Sequence, residues 1–207
     1  MYKEKRLPEQ EQDMAKIGVF FAEGYEEIEG LTVVDLCRRA GIEVETVSVY
    51  GKQEETGTDS CAAYMVCGSH GIDVKMDRTM DQVDFGQLDM IVLPGGLPGT
   101  TNLEASCELM AQLDAFYESG KYIAAICAAP SIFGHRGYLN GRKATCYPSF
   151  ESHLTGAQTV TDPAVTDGNV ITGRGMGCAI DFSMEIIKAL ISGECAKQIA
   201  DAVIYTR

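Results

Sequence analysis

The reading of this chain turns on Lys121-Tyr-Ile-Ala-Ala-Ile-Cys-Ala-Ala-Pro-Ser131. Residues 122–126 form an unbroken apolar run, the pattern of a strand covered on both faces. Two alanines follow, then Pro130, which suits the first turn of a helix because its missing N–H has no partner there anyway. The pattern predicts a buried strand running directly into a helix, with Cys127 on the turn between them. A thiol so placed projects from the carboxyl edge of a sheet. It also faces the positive end of the following helix, which favours thiolate over thiol. Taken alone, the stretch also reads as a strand followed by one more packed cysteine, since free cysteine behaves as a small hydrophobe.

Working outward, the chain repeats the strand-to-helix theme. Residues 16–21 read as a first strand and 26–40 as a helix closed by Gly41. A second strand is predicted over 44–50. A polar loop over 51–60 leads to two short β-like pieces, 64–67 and 72–76, joined through Gly68-Ser-His-Gly71. A buried strand over 89–93 ends in Pro94-Gly-Gly-Leu-Pro-Gly99, a glycine-rich turn at the edge where α/β proteins place their sites. Helix is expected over 104–119, a strand over 143–146, and strand-like pieces over 159–161 and 169–172 around a hairpin turn at Asp167-Gly168. Two closing helices, 178–191 and 194–203, complete the order. This succession predicts a doubly wound, mainly parallel sheet with helices on both faces in one domain, over 14–207. Residues 1–13 are polar and aperiodic, and read as a disordered tail or as an extension ahead of a natural start at Met14.

Composition narrows the partners. With 17 basic and 30 acidic residues among 207, the net charge is −13, which lacks the basic footprint that nucleic acids and anionic membranes require. No apolar run approaches the ~20 residues of a membrane span, and the N-terminus lacks a signal-peptide core. The eight cysteines lie mostly inside apolar periodic segments, unlike the framework of a small secreted domain. A reducing cytoplasm is expected.

Several chemistries are missing. No glycine run ends in Gly-Lys-Ser or Gly-Lys-Thr, and the dinucleotide fingerprint is absent from the first turn. His70, His135 and His153 show no paired metal spacing, so neither metal nor cofactor is expected. His70 has a claim to a cleft through its Gly-Ser-His-Gly loop. One residue is anomalous: Glu29 falls at the centre of the helix stripe formed by Val33, Leu36, Cys37 and Ala40. Either the carboxyl is buried and then protonated or strongly hydrogen-bonded, or it reaches solvent from the first turn and favours the helix dipole.

Three segments in combination, Phe20-Phe-Ala-Glu-Gly-Tyr-Glu-Glu-Ile-Glu29, Ile91-Val-Leu-Pro-Gly-Gly96 and Ala124-Ala-Ile-Cys-Ala-Ala-Pro130, resemble the ThiJ/PfpI superfamily. The similarity is to the subgroup typified by the Parkinsonism-associated protein deglycase, and it runs from about residue 16 to 203. The resemblance implies a flavodoxin-like sandwich, a homodimer, and a reactive cysteine at Cys127. It implies a protonated glutamate at Glu29 bonded to the sulfur, and oxyanion-binding N–H groups at Gly96 and Ala128. Gly95, His70 and Tyr147 would border the substrate pocket. The implied activity is cofactor-free and cysteine-dependent, on small aldehydes, dicarbonyls or glycated substrates. The alternative is a redox sensor or chaperone-like protective protein built on the same readily oxidised thiol. Relatives often carry a thiazole monophosphate biosynthesis or kinase label, and no phosphate loop here supports a kinase. This chain departs from the pattern at two places. Tyr147 stands where the subgroup often has histidine, and His70 where it often has arginine. Ala128 follows the cysteine where the protease-like branch has histidine, which argues against a peptidase.

Overall fold

The computed structural model describes residues 14–50 and 64–206; the expected tail at 1–13 and the polar loop at 51–60 lie outside the described residues. Strands β1 (Lys16–Phe21), β2 (Glu43–Ser48), β5 (Arg78–Thr79), β6 (Met90–Leu93), β7 (Tyr122–Ile126), β10 (Ala164–Asp167) and β11 (Val170–Gly173) form one sheet in the order β10-β11-β7-β6-β1-β2-β5. Every neighbouring pair is parallel except β10 with β11. Two small pairs stand apart. They are β3 (Met65–Cys67) with β4 (Asp73–Lys75), antiparallel, and β8 (Lys143–Ala144) with β9 (Gln158–Thr159), parallel.

The alternation of side chains along the strands divides the core in two. Phe20, Ile91, Leu93, Ile123 and Ala125 pack on one face, against α3 (Cys107–Ser119) and α4 (Pro130–His135). Val19, Phe21, Val92, Ala124 and Ile126 pack on the other, against α1 (Glu27–Arg39) and α5 (Ala179–Leu190), with α6 (Gly193–Ala202) outside α5. Each large side chain so buried contributes about 1.5–3 kcal/mol. This is the expected single-domain, doubly wound arrangement, and it brings the carboxyl ends of β1, β6, β7 and β11 together at one edge. Among the described residues no helix is long and apolar enough to cross a membrane.

Several boundaries differ from expectation. The helix expected over 104–119 is two: α2 (Gly99–Ala105) and α3, broken at Ser106, whose side chain accepts the Leu109 N–H and caps α3. A serine hydroxyl offers the backbone this alternative to continuing the helix. Ser192 likewise caps α6, so Gly193, outside the helix expected over 194–203, opens it. The hairpin partner of β11 is β10, not 159–161; Gly168, at φ +62°, makes the turn as predicted. The strand expected over 143–146 is confined to Lys143–Ala144.

Candidate active site

Four segments meet at that carboxyl edge. Cys127 ends β7 with φ +66°, a left-handed conformation that costs a non-glycine residue about 1–3 kcal/mol and persists only where the surroundings hold it. Two hydrogen bonds do so: the Cys127 N–H donates to Gly173 O at 2.9 Å, and Cys127 O accepts the Tyr147 N–H at 2.8 Å. The turn is therefore a sharp elbow. The thiol at its tip is partly exposed while the flanking Ile126 and Ala128 are buried, and it receives hydrogen bonds from the N–H groups of Ala128 and Gly96.

Glu29 comes from the first turn of α1 and is fully buried, which decides between the two readings left open by its periodicity. Its Oε2 accepts the Gly95 N–H at 2.9 Å. Its Oε1 is buried without a well-formed hydrogen bond, and the side chain beside the carboxyl is Cys127. Gly95 is the hinge of this contact. A methyl group added there would lie 2.6 Å from both the Cys127 Cβ and Glu29 Oε2, so only glycine lets acid and thiol share the space. Gly96, at φ +88°, has Tyr25 and Glu26 backbone where a Cβ would go.

Burial pushes the Glu29 carboxyl up to about 7, against the opposing bonds from Cys127 and Gly95. An ionised carboxylate with one oxygen unsatisfied is costly in such a place, and a carboxylic acid is not. Burial also pushes the Cys127 thiol up, the charge of Glu29 pushes it further, and the N–H groups of Ala128 and Gly96 pull it back. The net direction is upward, opposite to the thiolate expected from the helix end. The helix is only six residues long, and the sulfur sits in a desolvated setting beside an acid. Each group's protonation therefore depends on the other, and the site titrates as a pair.

Tyr147 adjoins the elbow through its backbone, with its ring half exposed and packed over Gly175. His70 is engaged by a different acid. Its N–H donates to Glu27 Oε1 at 2.8 Å and its Nδ1 lies 3.0 Å from Glu27 Oε2, while the Ser69 hydroxyl bonds to the same carboxylate at 3.3 Å. Glu27 is 3% exposed. Burial opposes its charge, but the His70 and backbone hydrogen bonds outweigh it and leave the carboxyl at about 2. Nothing in the helix periodicity marks Glu27, because its cover comes from the turn between β3 and β4. Gly68 is the one sequence signal for it: a Cβ there would fall 2.3 Å from Glu27 Oε1. Glu26, Glu27 and His70 also bring their ligand atoms within 4.8 Å of one another, but both Glu27 oxygens are already occupied.

A wide groove of about 830 Å³ lies elsewhere, at the amino ends of the strands beside Lys16, Asp89 and Lys121. Parallel sheets place their chemistry at the opposite edge, where Cys127 stands.

The chain is similar in sequence and fold to known proteins. The sequence pattern of the DJ-1/PfpI family matches residues 15–189. Two Arabidopsis thaliana proteins, Protein DJ-1 homolog B and homolog A, are 33% and 35% identical over 91% and 88% of the chain. The chain spans less than half of their own length, 41% and 45%. A Pyrococcus horikoshii protein named as a deglycase is 32% identical over 72% of the chain and 92% of its own length. Toxoplasma gondii DJ-1, solved in an oxidized form, superposes with a TM-score of 0.83 at 34% identity, covering 93% of this chain and all of that one.

Proposed function

Because the chain belongs to the DJ-1/PfpI family, we propose that it is a cofactor-free, cysteine-dependent enzyme acting on small reactive aldehydes or dicarbonyls, or on the adducts they form with amines. The observation that carries this reading is the partly exposed Cys127, held on a strained elbow against the fully buried Glu29. A carboxyl at about 7 suits proton transfer near neutral pH, where an effective acid or base titrates close to the operating pH. The relative from Pyrococcus named as a deglycase supports the same class.

The steps follow from the residues. Glu29 takes the thiol proton as the sulfur bonds to the carbonyl carbon. The carbonyl electron pair moves onto oxygen, where the N–H groups of Gly96 and Ala128 stabilise the oxyanion. Glu29 returns the proton to give a hemithioacetal. For a 2-oxoaldehyde, Glu29 then moves the carbon-bound proton to the adjacent carbon through an enediol. Water releases the resulting thioester as a 2-hydroxy acid. The sum is aldehyde plus water, with no net oxidation. Tyr147, whose backbone bonds to the elbow, donates a hydrogen bond to substrate in place of a histidine, and His70 lies on the β3–β4 turn against Glu27. Lactate formation from methylglyoxal without glutathione tests this reading, and equal rates for wild type and Cys127→Ser would sink it.

A second reading uses the same thiol. An accessible cysteine with hydrogen-bond donors around the sulfur is a site for oxidation to sulfenic and sulfinic acid, and the Toxoplasma relative is known in an oxidized form. Under mild peroxide, mass spectrometry should find oxidation first at Cys127. Even oxidation across all the cysteines would reject the sensor role. The described cysteines are all free thiols, which supports a reducing cytoplasmic setting. The exposed apolar face of α1 and the β3–β4 hairpin, with Ile28 and Ile72 each 53% exposed beside Leu31, supports pairing with a second copy. Ile28→Glu should convert the dimer to monomer in sedimentation.

A further inference from the structure

The three histidines are scattered in sequence, yet the fold joins two of them. His135 closes α4, and His153 lies in a single turn at Glu151–His153. The His135 Nε2 and His153 Nδ1 stand 3.1 Å apart. On its other side, His135 Nδ1 lies 2.7 Å from Glu104 Oε1, on α2. A carboxylate at one imidazole nitrogen fixes the proton there and leaves the other nitrogen as a lone pair, the arrangement found behind metal-ligating histidines. The Nε2 lone pair of His135 therefore points to His153.

Two imidazole nitrogens this close need a proton or a cation between them. An ion bonded to both at the usual 2.0–2.1 Å would subtend about 100° for a separation of 3.1 Å, close to tetrahedral. The approach is built into the backbone. A Cβ at Gly134 would fall 2.0 Å from His153 O, so only glycine allows the end of α4 to abut the turn carrying His153. The Phe150 ring, 5.5 Å from the His153 ring between centroids, packs against its side. All three polar side chains reach solvent, so an ion has access and water can complete its coordination.

We propose that His135 Nε2 and His153 Nδ1 form a surface site for a divalent transition-metal ion such as zinc, with Glu104 orienting His135. Imidazole ligands suit zinc, nickel and copper. The ion bonds to the Nε2 lone pair of His135 and to Nδ1 of neutral His153, whose single ring proton moves from Nδ1 to Nε2, so no proton is lost. Glu104, His135 and His153 lie downstream of Gly95-Gly96, Cys127 and Tyr147 respectively, so the ion would tie together the segments that follow the three site loops.

Calorimetric titration of full-length Cys127→Ser protein with Zn²⁺ tests the site without competition from that thiol. One equivalent should bind. Glu104→Gln should weaken binding about tenfold; His135→Gln and His153→Gln should weaken it further. His70→Gln should leave it unchanged. Zn²⁺ should raise the melting temperature of the parent protein and not of the doubly substituted His135→Gln, His153→Gln protein. With Co²⁺, the spectrum should lack a thiolate charge-transfer band. Absence of saturable binding, binding that follows His70, or a thiolate band that survives both histidine substitutions would overturn the proposal. Because the substituted histidines are exposed, unchanged melting without metal separates lost ligation from lost folding.

Discussion

Glu27 and Glu29 sit two residues apart on the first turn of α1, both buried, and the two sides of that turn hold them in opposite states. Toward the β3–β4 hairpin, Glu27 receives hydrogen bonds from the backbone and ring of His70 and from Ser69, and stays ionised down to about 2. Toward the elbow, Glu29 receives one backbone N–H and lies against the Cys127 thiol, its Oε1 without a well-formed hydrogen bond, and holds its proton up to about 7. Two things separate them: Glu29 lies deeper in the molecule, so burial raises it further, and the surroundings of Glu27 supply more donors, since a carboxylate in low dielectric is stable only when its lone pairs are met. One glutamate clamps a turn in place; the other is left able to move a proton.

The largest expected effect separates the two through pH. A carboxyl raised in the folded state contributes stability below its unfolded value and loses it as pH rises through the folded one. From about pH 4.5 to pH 9, wild type should therefore lose about 3 kcal/mol relative to Glu29→Gln, as read by urea denaturation, since each tenfold change in proton affinity is worth about 1.4 kcal/mol. A constant difference across that range would put Glu29 in contact with water.

Glu27 should behave in the opposite sense. Its carboxyl is lowered, so its stabilisation is present above about 4.5 and lost as pH falls through about 2. Glu27→Gln should cost about 1.5–3 kcal/mol at pH 7, the range for hydrogen bonds to a charged group. That deficit should shrink in acid, and stability equal to wild type at neutral pH would remove the clamp from the comparison.

A smaller effect should appear in the reactivity of the thiol. The alkylation rate of Cys127 should carry a step near pH 7 in wild type, where Glu29 ionises, and Glu29→Gln should abolish it. The same step in both proteins would show that the two groups are not coupled.

The smallest change is expected from His70→Ala. The exposed imidazole is raised by its bond to Glu27, so its contribution is present below about 6.5 and lost as pH rises through the folded value. A small fall in melting temperature at pH 6 should vanish at pH 9. A deficit that persists in base would assign the effect to the neutral hydrogen bond.

Much of this molecule is legible in its sequence. The apolar run before Cys127, the proline after the turn and the glycines after β6 mark a parallel α/β sheet with an elbow, because strand burial and helix entry are local demands on residue type. The phase of Glu29 on α1 is likewise a local property, since a helix face is fixed by spacing. Where propensity is weak, as at Ser106 and Ser192, a side-chain cap decides the boundary and the pattern of apolar residues does not. The state of the thiol escapes the sequence for a related reason. A helix end can be read from the chain, but desolvation and an acid placed across Gly95 cannot.

Sequence by itself thus determined the sheet, the elbow with Cys127, and the helix phase that sets Glu29 on the apolar stripe. Only the tertiary structure decided the charge on each acid and which histidine meets which partner. Glu27 owes its ionisation to a hairpin some forty residues away, and His135 meets His153 because Gly134 lets two backbones touch. Charge states and ligand pairs depend on what arrives from distant parts of the chain, and spacing along it carries no record of that.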